Sequence, residues 1–135
     1  MTMADASGAA ENVPAYVMPV AIAAAGLLLS WPAFHNGYPL VTLDTAAYLE
    51  ALGPSAGERD AALFYAAFIR ILRWHSLWPV VLVQGLVVAH LIHLTLRVSC
   101  GALRAEIYLL IVAWLAGFSS LPWFVSLILP DVMAG

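Results

Sequence analysis

The chain has 135 residues, of which 64% are hydrophobic and 10% are charged, and its mean hydropathy is +0.94. This composition excludes an ordinary soluble domain, because so few charged side chains cannot cover a water-exposed surface. The net charge of −3 and the lack of Lys provide no basic patch, so nucleic acid is not expected as a partner.

The N-terminal part predicts a short tail followed by a first membrane span. Residues 1–12 are small and polar and are expected to be disordered, and they lack the basic region of a cleavable secretory signal. The next uncharged run predicts a transmembrane helix near residues 14–32, since about 20 residues at about 1.5 Å each cross the hydrocarbon layer. Trp31 and Pro32 end this helix at an aromatic belt.

Residues 33–75 form a large first loop for which we predict interfacial helices. Asp44 and Thr45 offer an N-cap for a short helix. A second helix is predicted near 59–73, and it is amphipathic: Phe64, Phe68, Ile71 and Leu72 share one face, and Arg59, Arg70 and Arg73 share another. Such a helix is typical of a segment that lies along a membrane surface.

Two further uncharged runs predict transmembrane helices near 76–97 and 104–122, joined by a hydrophilic connection at 97–106. The run near 76–97 is interrupted only by Gln84, His90 and His93. No internal repeat is apparent. We therefore expect an all-α integral membrane protein, a single membrane-embedded domain over residues 1–135 with three transmembrane helices and an amphipathic interfacial helix in the first large loop.

Three crossings place the end of the first span, the start of the second and the end of the third on one face of the membrane. Trp31, Trp74, Trp78 and Trp123 are then expected in one aromatic belt. Asp44 and Asp131 emerge on the same face, so the two acids could meet. The distribution of Arg between the two sides is nearly even, and it leaves the orientation in the membrane open.

The candidate site residues each have two interpretations. Asp44, near Asn36, Tyr38 and Tyr48, could act as a general base or hold a divalent cation, or it could simply cap its helix. Asp131 could be a second site acid or a solvated end of an apolar run. Two cationic side chains, Arg70 and Arg73, could clamp a phosphate or anchor the helix to anionic lipid headgroups.

His90 and His93 lie three residues apart, hence on one helical face, where imidazoles could serve a metal, a haem or a proton path. We predict a structural role, because one helix supplies at most part of a ligand set. Cys100 has no second Cys for a disulfide and no His at ligand spacing. No metal-binding residues are predicted from these positions.

The order of an N-terminal span, a large loop with an acid, an interfacial helix with Arg, and a second acid after a later span resembles the N-terminal part of the GT-C class of polytopic glycosyltransferases. The resemblance implies that Asp44, in Pro39-Leu-Val-Thr-Leu-Asp44, is the catalytic acid of the first loop and Asp131 the second. It implies a polyprenyl-phosphate sugar as donor, with Arg70 or Arg73 on the lipid phosphate and Asn36 and Tyr48 lining the substrate site. A bacterial inner membrane is the expected location. Such enzymes have many more spans, and their first-loop signature is often a pair of adjacent acids, whereas Asp44 stands alone.

The alternative hypothesis is a small non-enzymatic membrane subunit. Ala/Gly-rich faces, such as those around Gly26 and from Gly85 to Ala89, would then pack against other subunits of a larger complex.

Overall fold

The computed structural model of the protein describes residues 14–41, 67–72 and 76–128. These residues form five helices: α1 (Val17–Leu29), α2 (Trp31–Asn36), α3 (Trp78–Cys100), α4 (Ala105–Phe118) and α5 (Leu121–Ser126). Residues 67–72 are also helical. The all-α fold class is thus confirmed over the described part of the chain. The tail at 1–12 and most of the loop at 33–75 lie outside the described residues.

Only α3, among the helices that the structure describes, is long and apolar enough to cross a membrane by itself. Its 23 residues correspond to about 34 Å at about 1.5 Å per residue. The apolar helices α1 and α4 are shorter, with 13 and 14 residues. The predicted spans near 14–32, 76–97 and 104–122 therefore coincide with one helix of full membrane-spanning length and two shorter ones.

A proline explains why the apolar runs of α1 and α4 are each divided into a longer and a shorter helix. Pro32 and Pro122 occupy the first turns of α2 and α5, where the missing N–H costs nothing, whereas the same residues could not continue the preceding helices without losing a hydrogen bond. The local sequences, Ser30-Trp-Pro-Ala-Phe34 and Ser120-Leu-Pro-Trp-Phe124, share the pattern Ser-x-Pro-x-Phe. In both, the serine carbonyl accepts hydrogen bonds from the N–H groups three and four residues later.

Helix α1 packs most extensively against α3 and next against α4. At the crossing with α3, a Cβ added to Gly85 would lie 2.6 Å from the Gly26 carbonyl oxygen and 2.6 Å from Ser30 Oγ. The two backbones are therefore in direct contact, which only glycine permits at this place. Helix α4 is tied to α3 by the buried Tyr108 hydroxyl, which donates to the Ala89 carbonyl oxygen at 2.8 Å.

Most of the small residues that α1 and α3 offer for helix packing are buried within the chain's own bundle. Five of them are buried between helices of the same chain: Ala21, Ala25, Gly26, Gly85 and Ala89. Ala23 and Ala24 face outward. The faces that the alternative hypothesis assigned to other subunits thus hold this chain's own helices together, with the outer Ala23 and Ala24 as exceptions.

The helical segment at 67–72 is anchored by Ile69, which is 1% exposed and belongs to a cluster with Ala33 of α2, Val80 of α3 and Ile128. The neighbouring apolar side chains, Phe68 and Leu72, pack at the edge of the same cluster. Arg70 is exposed, as predicted for the polar face.

Ile71, which was predicted on one face with Phe68 and Leu72, is 80% exposed and does not join the cluster that buries Ile69. The buried face is centred between Phe68, Ile69 and Leu72, and at about 100° per residue Ile71 lies well away from that centre.

Candidate functional site at the tryptophan-rich end

One end of the bundle gathers the aromatic side chains that flank the apolar runs. The Trp31 indole packs edge-on against Trp123 with 5.9 Å between ring centroids, and its N–H donates to the Ala116 carbonyl oxygen at 3.3 Å. One turn further, Phe34 stacks on Trp78 at 5.1 Å. The end of α1, the start of α3 and the end of α4 therefore meet. Trp74 lies outside the described residues.

At this end the segments that follow α2 and α5 run side by side. Gly37 ends α2 in the left-handed region, with a φ of 76°, and the chain then becomes extended. The Leu40 N–H donates to the Ser126 carbonyl oxygen at 3.1 Å, and the Ile128 N–H donates to the Leu40 carbonyl oxygen at 3.0 Å. These bonds form a parallel bridge between Leu40 and Leu127. We call residues 40 and 126–128 the bridge segment.

Gln84 of α3 contacts this bridge segment from within the bundle. Its side chain is fully buried, and Nε2 donates to the Leu127 carbonyl oxygen at 3.4 Å. Burying a carboxamide in an apolar helix is costly unless it is hydrogen-bonded. The sequence signal was present, since Gln84 interrupts an otherwise apolar run, but no role was assigned to it because its partner is remote in sequence.

Two buried hydroxyl groups complete the polar part of this end. Ser30, between α1 and α2, donates from Oγ to the Gly26 carbonyl oxygen at 2.9 Å. Ser126, at the end of α5, has a buried Oγ that finds no hydrogen-bond partner within the described ranges. Together with Gln84 they are buried polar side chains at this end, and the buried Tyr108 hydroxyl lies elsewhere, between α3 and α4.

Some of the predicted site residues belong to the described part of the chain, and the others do not. Asp44, Tyr48, Arg73 and Asp131 lie outside the described residues. Asn36 is half-buried in the last turn of α2, Tyr38 is 60% exposed, and Arg70 is exposed on the segment that Ile69 anchors.

The bridge segment nevertheless relates the two acids by position in the sequence. Each acid stands four positions after a bridged residue, Asp44 after Leu40 and Asp131 after Leu127. Because the bridge is parallel, the chain leaves both bridged residues in the same direction.

The opposite end of the bundle carries the histidine pair. The ring centroids of His90 and His93 are 6.4 Å apart, and the His93 ring packs edge-on against Tyr108 at 5.6 Å. In residues 14–41, 67–72 and 76–128, no group of three or more His, Cys, Asp or Glu side chains gathers that could hold a metal ion. An exposed ion pair joins Arg104 to Glu106 at 3.0 Å. The structural role of His90 and His93 stays a prediction.

The fold and the composition define an α-helical protein with a helix of membrane-spanning length and a tryptophan-rich end. No protein-family model, curated protein or solved structure matches this chain. Its function is therefore inferred from the chemistry and geometry of its own residues.

Proposed function

We propose that the chain is a multi-pass protein of a bacterial inner membrane that crosses the bilayer three times and carries a two-acid glycosyl-transfer site at its tryptophan-rich end. Large apolar side chains point outward along all three long helices, among them Leu27, Leu91 and Leu110. In water this surface would be unfavourable, whereas lipid tails solvate it without cost. The exposed Arg104 and Glu106 lie at the start of α4, just beyond the connection from α3, where headgroups and water are available.

The lengths of the interrupted helices are compatible with three crossings. Residues 17–36, which comprise α1, Ser30 and α2, would extend over about 30 Å at about 1.5 Å per residue. The 14 residues of α4 and the two residues before α5 would extend over about 28 Å. Interruptions of this kind are tolerated at membrane depth where the freed backbone groups are satisfied within the protein.

Labelling of single cysteines tests the three crossings. In a Cys100→Ser background, Arg70→Cys and Arg97→Cys are expected to react with a membrane-impermeant maleimide from opposite sides of sealed vesicles. Labelling of both positions from the same side would contradict the three-crossing proposal, because the two positions are separated by a single crossing, α3.

The single observation that carries the two-acid site is the parallel bridge between Leu40 and Leu127. Four residues reach at most about 14 Å, so both acids are tethered near the bridge whatever path the chain takes. Two carboxylates held together at a membrane surface suit the activation of an acceptor hydroxyl beside a lipid-linked sugar.

The proposed reaction is transfer of a sugar from a polyprenyl phosphate to a hydroxyl acceptor. The Asp44 carboxylate takes the acceptor proton while the acceptor oxygen bonds to the anomeric carbon. The bond between that carbon and the phosphate oxygen breaks, and polyprenyl phosphate leaves. Arg70, Arg73, Asn36 and Tyr48 would bind the donor. The packing of Ile69, the neighbour of Arg70, against Ala33 and Ile128 supports this role for Arg70.

Asp44→Asn in the intact chain tests this proposal. General-base catalysis contributes about 10²–10⁴-fold, so turnover should fall by that factor. Asn also caps helices well, so a residue that acts only as an N-cap would tolerate the change. Glu106→Gln is the matched control, since Glu106 is an exposed acid outside the proposed site. The measurement is sugar transfer from a panel of polyprenyl-phosphate sugars in proteoliposomes, and unchanged turnover in Asp44→Asn would refute the proposed role.

The non-enzymatic subunit remains a second candidate because of the outer face of α4. Leu110, Trp114 and Phe118 are 70%, 63% and 79% exposed, and a Cβ on Gly117 would meet nothing within 4 Å. This face has room for a helix of another subunit. If this candidate is correct, Gly117→Leu abolishes co-purification of a membrane partner, while Asp44→Asn has no effect on any function of the complex.

A further inference from the structure

We propose that Gln84 is a positioning residue that holds the bridge segment, which Asp44 and Asp131 follow in the sequence, against the rigid part of the bundle. The inference rests on the proposed two-acid site for its functional meaning. Its structural content, a hydrogen bond that fastens a non-helical segment to α3, is independent of the reaction.

Gln84 pairs with a backbone carbonyl oxygen that the other hydrogen bonds of the bridge segment do not use. The N–H groups of Leu40 and Ile128 and the carbonyl oxygen of Leu40 are paired within the bridge segment. The Leu127 N–H donates back into α5, to the carbonyl oxygens of Trp123 and Phe124. The Leu127 carbonyl oxygen is left over by these pairs, and it accepts the hydrogen bond from Gln84 Nε2. An unpaired carbonyl at this partly buried place would cost free energy comparable to a lost hydrogen bond.

Gln84 is suited to hold this carbonyl in place because its own backbone cannot move easily. The next residue, Gly85, is in direct backbone contact with Gly26 of α1. One turn earlier, the buried Val81 belongs to the same apolar cluster as Ile128. The carboxamide therefore projects from the most tightly packed crossing of the bundle onto a segment that has a single parallel bridge of its own.

Loss of the carboxamide should loosen the bridge segment without loosening the bundle. Leaving the partly buried Leu127 carbonyl unpaired corresponds to roughly a tenfold increase in the equilibrium constant for local opening. Opening would separate Leu40 from Leu127, the two bridged residues that precede Asp44 and Asp131 by four positions. The close contact of α1 and α3 at Gly26 and Gly85 is made by backbone atoms, so it should stay closed.

Thiol labelling of the full chain in detergent or proteoliposomes measures both kinds of opening. In a Cys100→Ser background, Ile128→Cys reports on the bridge segment and Val112→Cys on the bundle, since both parent side chains are fully buried. A buried thiol reacts only when its surroundings open, so the labelling rate follows the opening equilibrium. The ratio of the two rates cancels differences in thiol reactivity between conditions.

We expect Gln84→Leu to raise this ratio about tenfold. An unchanged ratio, whether both rates rise together or neither rises, overturns the proposal, because a general structural role would affect both reporters alike.

Gln84→Glu is a second test within a single folded protein. Its carboxyl group can donate to the Leu127 carbonyl only while protonated, so the ratio should be near the parent value at acid pH and rise reversibly at alkaline pH. A ratio independent of pH would also overturn the proposal.

The labelling requires no sugar transfer, so its failure is separable from failure of the proposed reaction. A raised ratio together with full transfer by Asp44→Asn would retain the role of Gln84 in fastening the bridge segment and remove the two-acid function. An unchanged ratio together with the expected loss of transfer in Asp44→Asn would retain the two-acid function and remove the role of Gln84.

Discussion

Replacing Gly85 by alanine should destabilise the bundle more than any other single methyl group added to a described glycine. The new Cβ would lie 2.6 Å from the Gly26 carbonyl oxygen and 3.3 Å from its carbonyl carbon, and neither backbone atom can rotate away. To reach ordinary contact, α1 and α3 must separate by most of an ångström along their main interface. Overpacking of this kind costs about 1–3 kcal/mol, and the better helix propensity of alanine returns up to about 1 kcal/mol. A net loss of about 2 kcal/mol is expected, because the obstruction is backbone and not a flexible side chain.

The matched control is Gly117→Ala in α4, where the added Cβ meets nothing within 4 Å. Here the helix propensity acts alone, and the free energy of unfolding should rise by about 0.5–1 kcal/mol. Both variants can be measured by equilibrium unfolding in mixed micelles of a mild detergent and dodecyl sulfate, followed by tryptophan fluorescence. If Gly85→Ala were as stable as the parent, the direct backbone contact between α1 and α3 would be refuted.

Three further outcomes follow from single contacts. Tyr108→Phe removes a buried hydrogen bond to Ala89 and should lower the free energy of unfolding by about 1 kcal/mol in the same assay, and an unchanged value would contradict this bond. Trp31→Phe removes an indole hydrogen bond to the α4 backbone and should lower the free energy of unfolding by at least about 1 kcal/mol. An unchanged free energy of unfolding would contradict this hydrogen bond. The double replacement of His90 and His93 by alanine should leave the metal and haem content of the purified protein unchanged, and loss of a stoichiometric metal or of a Soret band would show that the pair is a ligand site.

The sequence was most informative where an apolar run is long and uninterrupted. Helix α3 was predicted near 76–97 and is observed at Trp78–Cys100, because hydrophobic length alone specifies such a helix. The gathering of Trp31 and Trp123 at one end also followed from the order of the runs. These features depend on local composition and chain direction, which the sequence states explicitly.

Interruptions were harder to interpret. A proline ends a preceding helix, but it is equally suited to the first turn of a new one. Pro32 and Pro122 were therefore assigned to the ends of spans, whereas each begins a further six-residue helix. Likewise, helical periodicity grouped Ile71 with Phe68 and Leu72, whereas the packing on α2 and α3 buries Ile69, which the periodicity did not single out.

The candidate site depended on contacts that leave no local signal. No feature of the sequence around Leu40 indicates that it pairs with Leu127, and no feature around Gln84 identifies its partner. Pairing of this kind arises from the packing of α5 between its neighbours, which only the assembled bundle determines. The proposed proximity of Asp44 and Asp131, by contrast, could be stated from the count of crossings.

The pairing of Leu40 with Leu127 has a consequence for the order in which the protein is built. One partner is synthesised early and the other near the end of the described chain, so the ribosome must deliver α3, α4 and α5 before the bond can form. At about 5–20 residues per second, the segment after α2 waits for several seconds without its partner, while the contact of α1 with α3 is already available. The tryptophan-rich end is therefore the last part to close during biogenesis, and a nascent chain arrested before α5 would present it open to chaperones and proteases.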